Sequence, residues 1–265
     1  MEVQMAETTK IQWTEKTWNP WYGCDKVSPG CKFCYMYREN IRDPGKVQRS
    51  KTKFDEPLTW NKTQLVFTCS WSDFFHQDAD QWRDEVWRII KRTPHLTYQV
   101  LTKRIDRVMA QLPDDWGDGY PNVWLGVSTE NEELTYSRVT TLLQIPSKLR
   151  FISAEPLIEG VVSDRTKALI KELDWVIIGG ESGHDFPPHK YRPMELRWAA
   201  DLLDFCLTEG VATFMKQLGT YQAKQMKLWD NHGGIPEDWP QEFQVRQMPD
   251  YKAVPYTEPQ YTLKF

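Results

Sequence analysis

Cys24, Cys31 and Cys34 lie in one short stretch, Tyr22-Gly-Cys-Asp-Lys-Val-Ser-Pro-Gly-Cys-Lys-Phe-Cys-Tyr35, with the spacing C-x6-C-x2-C. Three thiolates in one loop can hold a metal ion or an iron–sulfur cluster. No fourth cysteine is near; the other two are Cys69 and Cys206. A structural zinc site takes four protein ligands and closes its shell. A [4Fe–4S] cluster on three thiolates leaves one iron open to a small molecule. The missing fourth ligand therefore points to cluster chemistry. A zinc site, or a disulfide with a thiol left over, is the alternative. Pro29-Gly30 turns the chain between the first two cysteines. Phe33 and Tyr35 bring apolar rings of the kind that exclude water and tune a cluster's potential.

A second set of reactive side chains recurs downstream in a rhythm. Ser70-Trp-Ser-Asp73, Thr102-Lys-Arg104, Ser128-Thr-Glu-Asn131, Ser153-Ala-Glu-Pro156, Gly179-Gly-Glu-Ser182 and Lys216-Gln217 each follow a short apolar run. Those runs are Leu65–Ser70, Thr97–Thr102, Val123–Ser128, Leu149–Ser153, Trp175–Gly179 and Val211–Met215. Between them, apolar residues fall at helical spacing. Trp82, Val86, Ile89 and Ile90 form one stripe. Ile105, Val108, Met109 and Leu112 form a second, and Leu196, Ala199, Ala200, Leu203 and Leu207 a third. Buried strands alternating with helices predict a parallel α/β sheet. With an earlier strand near Lys10–Trp13, the pattern gives a parallel βα barrel or partial barrel of about six to seven strands.

Such folds bind ligands at the carboxyl ends of their strands, so the six polar strand ends form one rim. Helix capping accounts for Ser72 or Asp73. It does not account for Lys103, Glu155, Glu181 or Lys216, which are poor N-caps and are read as site residues. Residues 1–219 are expected to form the barrel, with the cluster-binding loop at 24–34. From Thr220 the alternation stops. Residues 220–265 read as an irregular extension packed on the barrel, with a possible hairpin, placed to cover its mouth. His184 and His189 fall in a Pro-rich loop and read as surface residues. Cys69 and Cys206 read as small apolar core residues, with Cys69 next to a strand end.

The chain has 265 residues and a net charge of −4, so no global basic field drives nucleic-acid binding, although a local basic groove is compatible with it. No apolar run approaches the roughly 20 residues of a membrane span. Five cysteines and no apolar leader predict a reducing, cytoplasmic setting. Most of the thirteen tryptophans are expected in the core, with Trp71 and Phe74 placed at the rim where a ring holds a base.

Several stretches together carry a family resemblance. They are Ile11–Glu15, Thr17–Pro20, Gly23-Cys24, Val27–Cys31, Cys34-Tyr35, Pro94-His95, Gln99–Arg104, Pro121–Ser128, Glu155–Leu157, Trp175–Gly183 and Met215–Gln217. The chain resembles the phage-associated three-cysteine family of radical S-adenosylmethionine-type proteins, more distantly similar to spore photoproduct lyase. Its first cysteine gap is six residues, where the common radical loop has three. The resemblance implies a radical-SAM-like barrel with a [4Fe–4S] cluster on Cys24, Cys31 and Cys34. S-adenosylmethionine would bind the open iron and be cleaved by one electron, from a donor such as flavodoxin or ferredoxin, to a 5′-deoxyadenosyl radical. It places Lys103, backed by Arg104, on the cofactor carboxylate, and Ser128 on ribose or carboxylate. Glu130 and Asn131 are assigned to the ribose hydroxyls, and Ser70, Ser72 and Asp73 to the amino group. Gly179 and Gly180 would let backbone approach the adenine or the substrate. Glu155, Glu181 and Lys216 are expected to act on substrate, a nucleic-acid base or nucleotide. A peptide or small-molecule substrate, and a non-enzymatic metal-stabilised binding module, are the alternatives.

Overall fold

A computed structural model describes residues 9–37, 43–185 and 190–257. Seven parallel strands form one curled half-barrel sheet: β1 (Lys16–Trp18), β4 (Gln64–Thr68), β5 (Leu96–Thr102), β6 (Val123–Ser128), β7 (Arg150–Ala154), β8 (Trp175–Gly179) and β9 (Ala212–Gln217), adjacent in that order. A two-stranded ribbon of β2 (Trp21–Tyr22) and β3 (Gln48–Arg49) stands beside the first strand. The helices are α1 (Asp80–Arg92), α2 (Ile105–Val108), α3 (Glu132–Gln144), α4 (Asp164–Ile170), α5 (Leu196–Glu209) and α6 (Gly219–Gln225). No described helix is long and apolar enough to cross a membrane.

Alternation along each strand sorts its side chains between two cores. Val66, Val100, Leu125, Ile152, Val176 and Met215 face the helices. Phe67, Trp124, Phe151, Trp175, Ile177 and Phe214 fill the concave side. Glycine appears in mid-strand where a ring needs its room: a Cβ on Gly126 would lie 2.5 Å from the Phe151 ring. The concave aromatics occupy the lower part of the half-barrel, which leaves space only toward the strand carboxyl ends.

The first strand is Lys16–Trp18, not Lys10–Trp13. Ile11–Thr14 is a turn, and Trp13 plugs the concave side, 4.6 Å from Phe67 and 6.0 Å from Trp175 between ring centroids. Its apolar neighbours mark burial inside the barrel rather than a strand. The second stripe also breaks, because α2 ends at Val108 and leaves Met109 exposed. On α5 the buried line runs through Leu202 and Cys206, while Leu207 is exposed. Phe74 is fully buried against Trp21, Phe75 and Trp87, so it is core and not a rim platform.

Among the described residues, none after Lys216 lines the mouth, and the later part of the extension packs on the sheet. Met215 donates to the Val245 carbonyl (2.8 Å), and Gln247 donates to the Thr213 carbonyl (2.8 Å), which covers the outer edge of β9. Trp175 Nε1 donates to the Gln247 carbonyl (2.9 Å), and Tyr251 packs on Trp124. The Trp175 and Trp124 contacts lie at the amino ends of β8 and β6, so the stretch around Gln247 and Tyr251 closes the bottom of the half-barrel. Gln12 bonds the Gly234 carbonyl (2.9 Å) and Arg246 (2.8 Å), and so ties the open seam between β1 and β9.

Candidate functional site

At the strand carboxyl ends the sheet opens into a cavity of about 480 Å³. Cys24, Cys31 and Cys34 line it from one side. Lys103, Ser128, Ser153, Glu155, Glu181 and Lys216 line it from the strand ends. Trp13, Phe67 and Leu101 give it an apolar floor. Lys103 therefore shares a rim with the cysteines.

The cysteine loop is short and has little regular structure, so its shape depends on what holds it. Ser28 donates to Glu130 Oε1 (2.8 Å), and Gly30 packs so closely that a Cβ there would lie 2.5 Å from Glu130 Cγ. Glu130 is fully buried. It pairs with Lys103 Nζ and lies 3.4 Å from Arg138 Nη1, which also donates to the Ser128 carbonyl (2.6 Å). Burial pushes the Glu130 carboxyl up, but the Lys103 and Arg138 charges and the bonds from Lys103 and Ser28 outweigh it and hold the group below its ordinary range.

A second clamp reaches the loop from β8. Glu181 accepts Arg192 Nε (2.9 Å), Nη2 and the Arg192 backbone N–H (2.8 Å). Arg192 Nη1 then donates to the Pro29 carbonyl (2.9 Å), and the guanidinium lies over the Phe33 ring. A third contact is Arg104, buried, with Nη1 3.6 Å from Cys24 Sγ and Nη2 2.6 Å from Asp25 Oδ1. Burial pushes the Cys24 thiol up to about 12, and Arg104 opposes that shift. Tyr37 donates to the Cys24 carbonyl, and its hydroxyl is raised first by burial and then by Cys24 and Cys34, with a smaller push from Cys31. All three cysteines line the same cavity. Among the described residues every cysteine is a free thiol.

Several residues assigned to the cofactor also hold the scaffold. Asp73 accepts from Phe75 N (2.9 Å), Thr102 Oγ1 (2.7 Å) and Lys103 N (2.9 Å), which ties the end of β4 to the end of β5. Ser72 donates to the Gly23 carbonyl (2.5 Å), and Ser70 Oγ bonds Asn19 (3.0 Å) while its carbonyl accepts from Tyr35. Asn131 is the N-cap of α3, accepting from Leu134 N (2.9 Å). Space at Gly179 is taken by the Glu155 carboxyl, and at Gly180 by the Leu218–Gly219 backbone, where a Cβ would meet the Leu218 carbonyl oxygen at 2.2 Å. Gly180 nonetheless borders the cavity. Glu181 is occupied by Arg192, so its role is to hold the loop.

Of the residues assigned from the sequence, Ser70, Ser72, Asp73, Lys103, Arg104, Ser128, Glu155, Gly180, Glu181 and Lys216 line the cavity. Ser128 pairs in register with Ser153 on β7, which puts two serines side by side on the wall. Lys216 Nζ lies 2.5 Å from Glu155 Oε1 across the mouth. His184 is exposed, and His189 lies outside the described residues. Cys69 is buried at the end of β4 and borders the cavity, with φ of 63°. Cys206 is buried on α5.

Sequence reasoning missed Ser28, Asp25, His76, Arg138 and Arg192. Cys24 Sγ, Asp25 and His76 bring their ligand atoms within 4.8 Å of one another. Arg104 already neutralises that group, and His76 Nδ1 accepts from Asp78 N (3.2 Å), leaving Nε2–H to Asp25. The trio is satisfied without a cation. Arg192 had no local signal, because it meets Glu181 only across a Pro-rich loop.

An α/β half-barrel with three loop cysteines on the cavity at its strand carboxyl ends defines the class of protein. The chain belongs to the family described as "Protein of unknown function (DUF5131)", which matches residues 8–235. No curated protein and no solved structure matches it.

Proposed function

We propose that the protein is a radical S-adenosylmethionine enzyme acting on a nucleic-acid base or nucleotide. One observation carries the reading: three cysteines of a single C-x6-C-x2-C loop face the same cavity as the polar strand ends of a parallel half-barrel. The donor set suits a [4Fe–4S] cluster, since the three loop cysteines line one cavity with two of them partly exposed, while the further cysteine on that cavity, Cys69, is buried at a strand end. Cys24, Cys31 and Cys34 would hold the cluster; Lys103, Ser128 and Ser153 would face S-adenosylmethionine. When bound, the two supply one-electron cleavage of a carbon–sulfur bond and abstraction of a substrate hydrogen.

The protein's own part is placement and exclusion. Glu130 and the Glu181–Arg192 clamp fix the loop at both sides of its turn. Trp13, Phe67 and Leu101 keep water from the floor, which protects a reactive carbon. Lys103 offers a charge-assisted bond to a carboxylate. Lys216 carries a proton at Nζ within reach of Glu155 and of the cavity mouth.

Anaerobic reconstitution with iron and sulfide, followed by assay of 5′-deoxyadenosine release, tests the proposal. Broad visible absorbance and release are expected. Cys31→Ala should lose both, while Cys206→Ala keeps both. Zinc alone in anaerobically purified protein, or a full cluster in Cys31→Ala, overturns the assignment.

A further inference from the structure

Beside the cysteine cavity runs a second, larger hollow of about 740 Å³. Its walls include Lys46, Lys53, Gln48, Asn19, Tyr22 and Trp71. The segment that carries this wall reads Lys46-Val-Gln-Arg-Ser-Lys-Thr-Lys53, with four cations and no acid in eight residues of a chain whose net charge is −4; Lys46 and Lys53 line the hollow, and Arg49 and Lys51 lie outside its lining. Lys46, Arg49, Lys51 and Lys53 are all exposed. Asp43 is the acidic residue on the lining, Lys53 shares a surface ion pair with Glu56 (2.9 Å), and Arg49 shares one with Glu85 (2.9 Å).

The hollow and the cavity are neighbours in structure. Trp71 borders both. Its backbone carbonyl accepts from Gly23 N (3.0 Å), and Cys24 N donates to the Pro44 carbonyl (2.9 Å), so the basic wall is stitched to the cysteine loop. Gly23 makes the junction close: a Cβ there would lie 2.2 Å from the Lys46 carbonyl oxygen. Anything lying along the basic wall passes Trp71 on the way to the thiolates.

We propose that this hollow is a track for single-stranded nucleic acid, with the phosphates along Lys46–Lys53 and a base stacked at Trp71 as it enters the cysteine cavity. The inference rests on the proposed radical chemistry for its purpose but not for its binding. Cations on one wall and an aromatic ring at the turn match what unpaired strands use, a charged path with a sequence-tolerant stacking surface. A duplex cannot offer a base to the cavity without extruding it, so single strands should bind more tightly.

Fluorescence anisotropy of a labelled oligothymidylate, against a duplex of equal length, tests the track on the full-length chain. Single strand should bind more tightly than duplex, and affinity should fall with salt. Lys46→Glu with Lys53→Glu should weaken binding at least tenfold and flatten the salt slope by about 1.4, at about 0.7 per phosphate contact on single strands. Trp71→Ala should weaken it about fivefold to a hundredfold. Cluster absorbance is recorded for each variant. Cluster and 5′-deoxyadenosine release without oligonucleotide binding overturns the track and leaves the radical reading standing. Binding that survives in protein unable to build a cluster supports the track and removes the radical reading. Equal competition by polyglutamate, preference for duplex, or indifference to the charge reversals also overturns it.

Discussion

Replacing Glu130 by glutamine keeps the shape of the loop's anchor and removes its charge. The side chain is fully buried, so its two cationic partners lose their counter-ion in a site that excludes water. Removing one partner of a buried pair costs about 3–5 kcal/mol. Lys103 retains 20% exposure and can turn to solvent, whereas Arg138 retains 7% and stays fixed on the Ser128 carbonyl. The lower end, about 3 kcal/mol, is therefore expected. In a chain of this size that lowers Tm by roughly 6–12 °C. The loop should loosen as well, since Ser28 loses a charged acceptor. Two assays read these effects: urea or thermal unfolding, and the native alkylation rate of Cys31, which is 8% exposed in the intact protein. Adding Lys103→Met to Glu130→Gln removes one stranded cation, so the double variant should be less destabilised than the sum by about 0.5–3 kcal/mol. A Tm within about 2 °C of the parent, with unchanged Cys31 alkylation, would refute the view that Glu130 carries the loop. Strict additivity in the double variant would refute the pairing with Lys103.

Gly30→Ala should force the loop off Glu130, and reconstituted cluster content should fall while the fold, followed by circular dichroism, persists. Arg192→Ala should cost about 1–3 kcal/mol by leaving buried Glu181 unpaired and should speed Cys31 alkylation, with partial rescue by Arg192→Lys, which keeps the charge but not the paired bonds. Lys103→Met should weaken S-adenosylmethionine binding about ten- to a hundredfold at constant cluster content; equilibrium binding to reconstituted protein checks it, and a parallel loss of cluster would show that Lys103 acts through Glu130 instead. Acid should release the loop. The Glu130 carboxyl is held below its ordinary 4.5, so its contribution is complete above that value and is lost as pH falls from there through the folded value. Cys31 exposure against pH, followed by quenched alkylation, should show that transition in the parent and not in Glu130→Gln.

Sequence alone determined the class of fold, because strand and helix periodicities are local and the polar residue at each strand end follows from the parallel arrangement. It also marked the three cysteines and the strand-end lysines and carboxylates that meet in one cavity. Tertiary structure decided their roles. Trp13 reads as strand by composition and becomes a plug, because the concave side needs an aromatic filler. Glu130 and Glu181 read as ligands and become anchors, because Ser28, Gly30 and Arg192 arrive from segments distant in the chain. Gly179 and Gly180 read as room for a ligand; the space their side chains would take is filled by Glu155 and the Leu218–Gly219 backbone, while Gly180 borders the cavity. A charge's partner lies across space, and spacing along the chain does not record it. The basic wall at Lys46–Lys53 was legible as charge, but only folding set it against Trp71 and the cysteine loop.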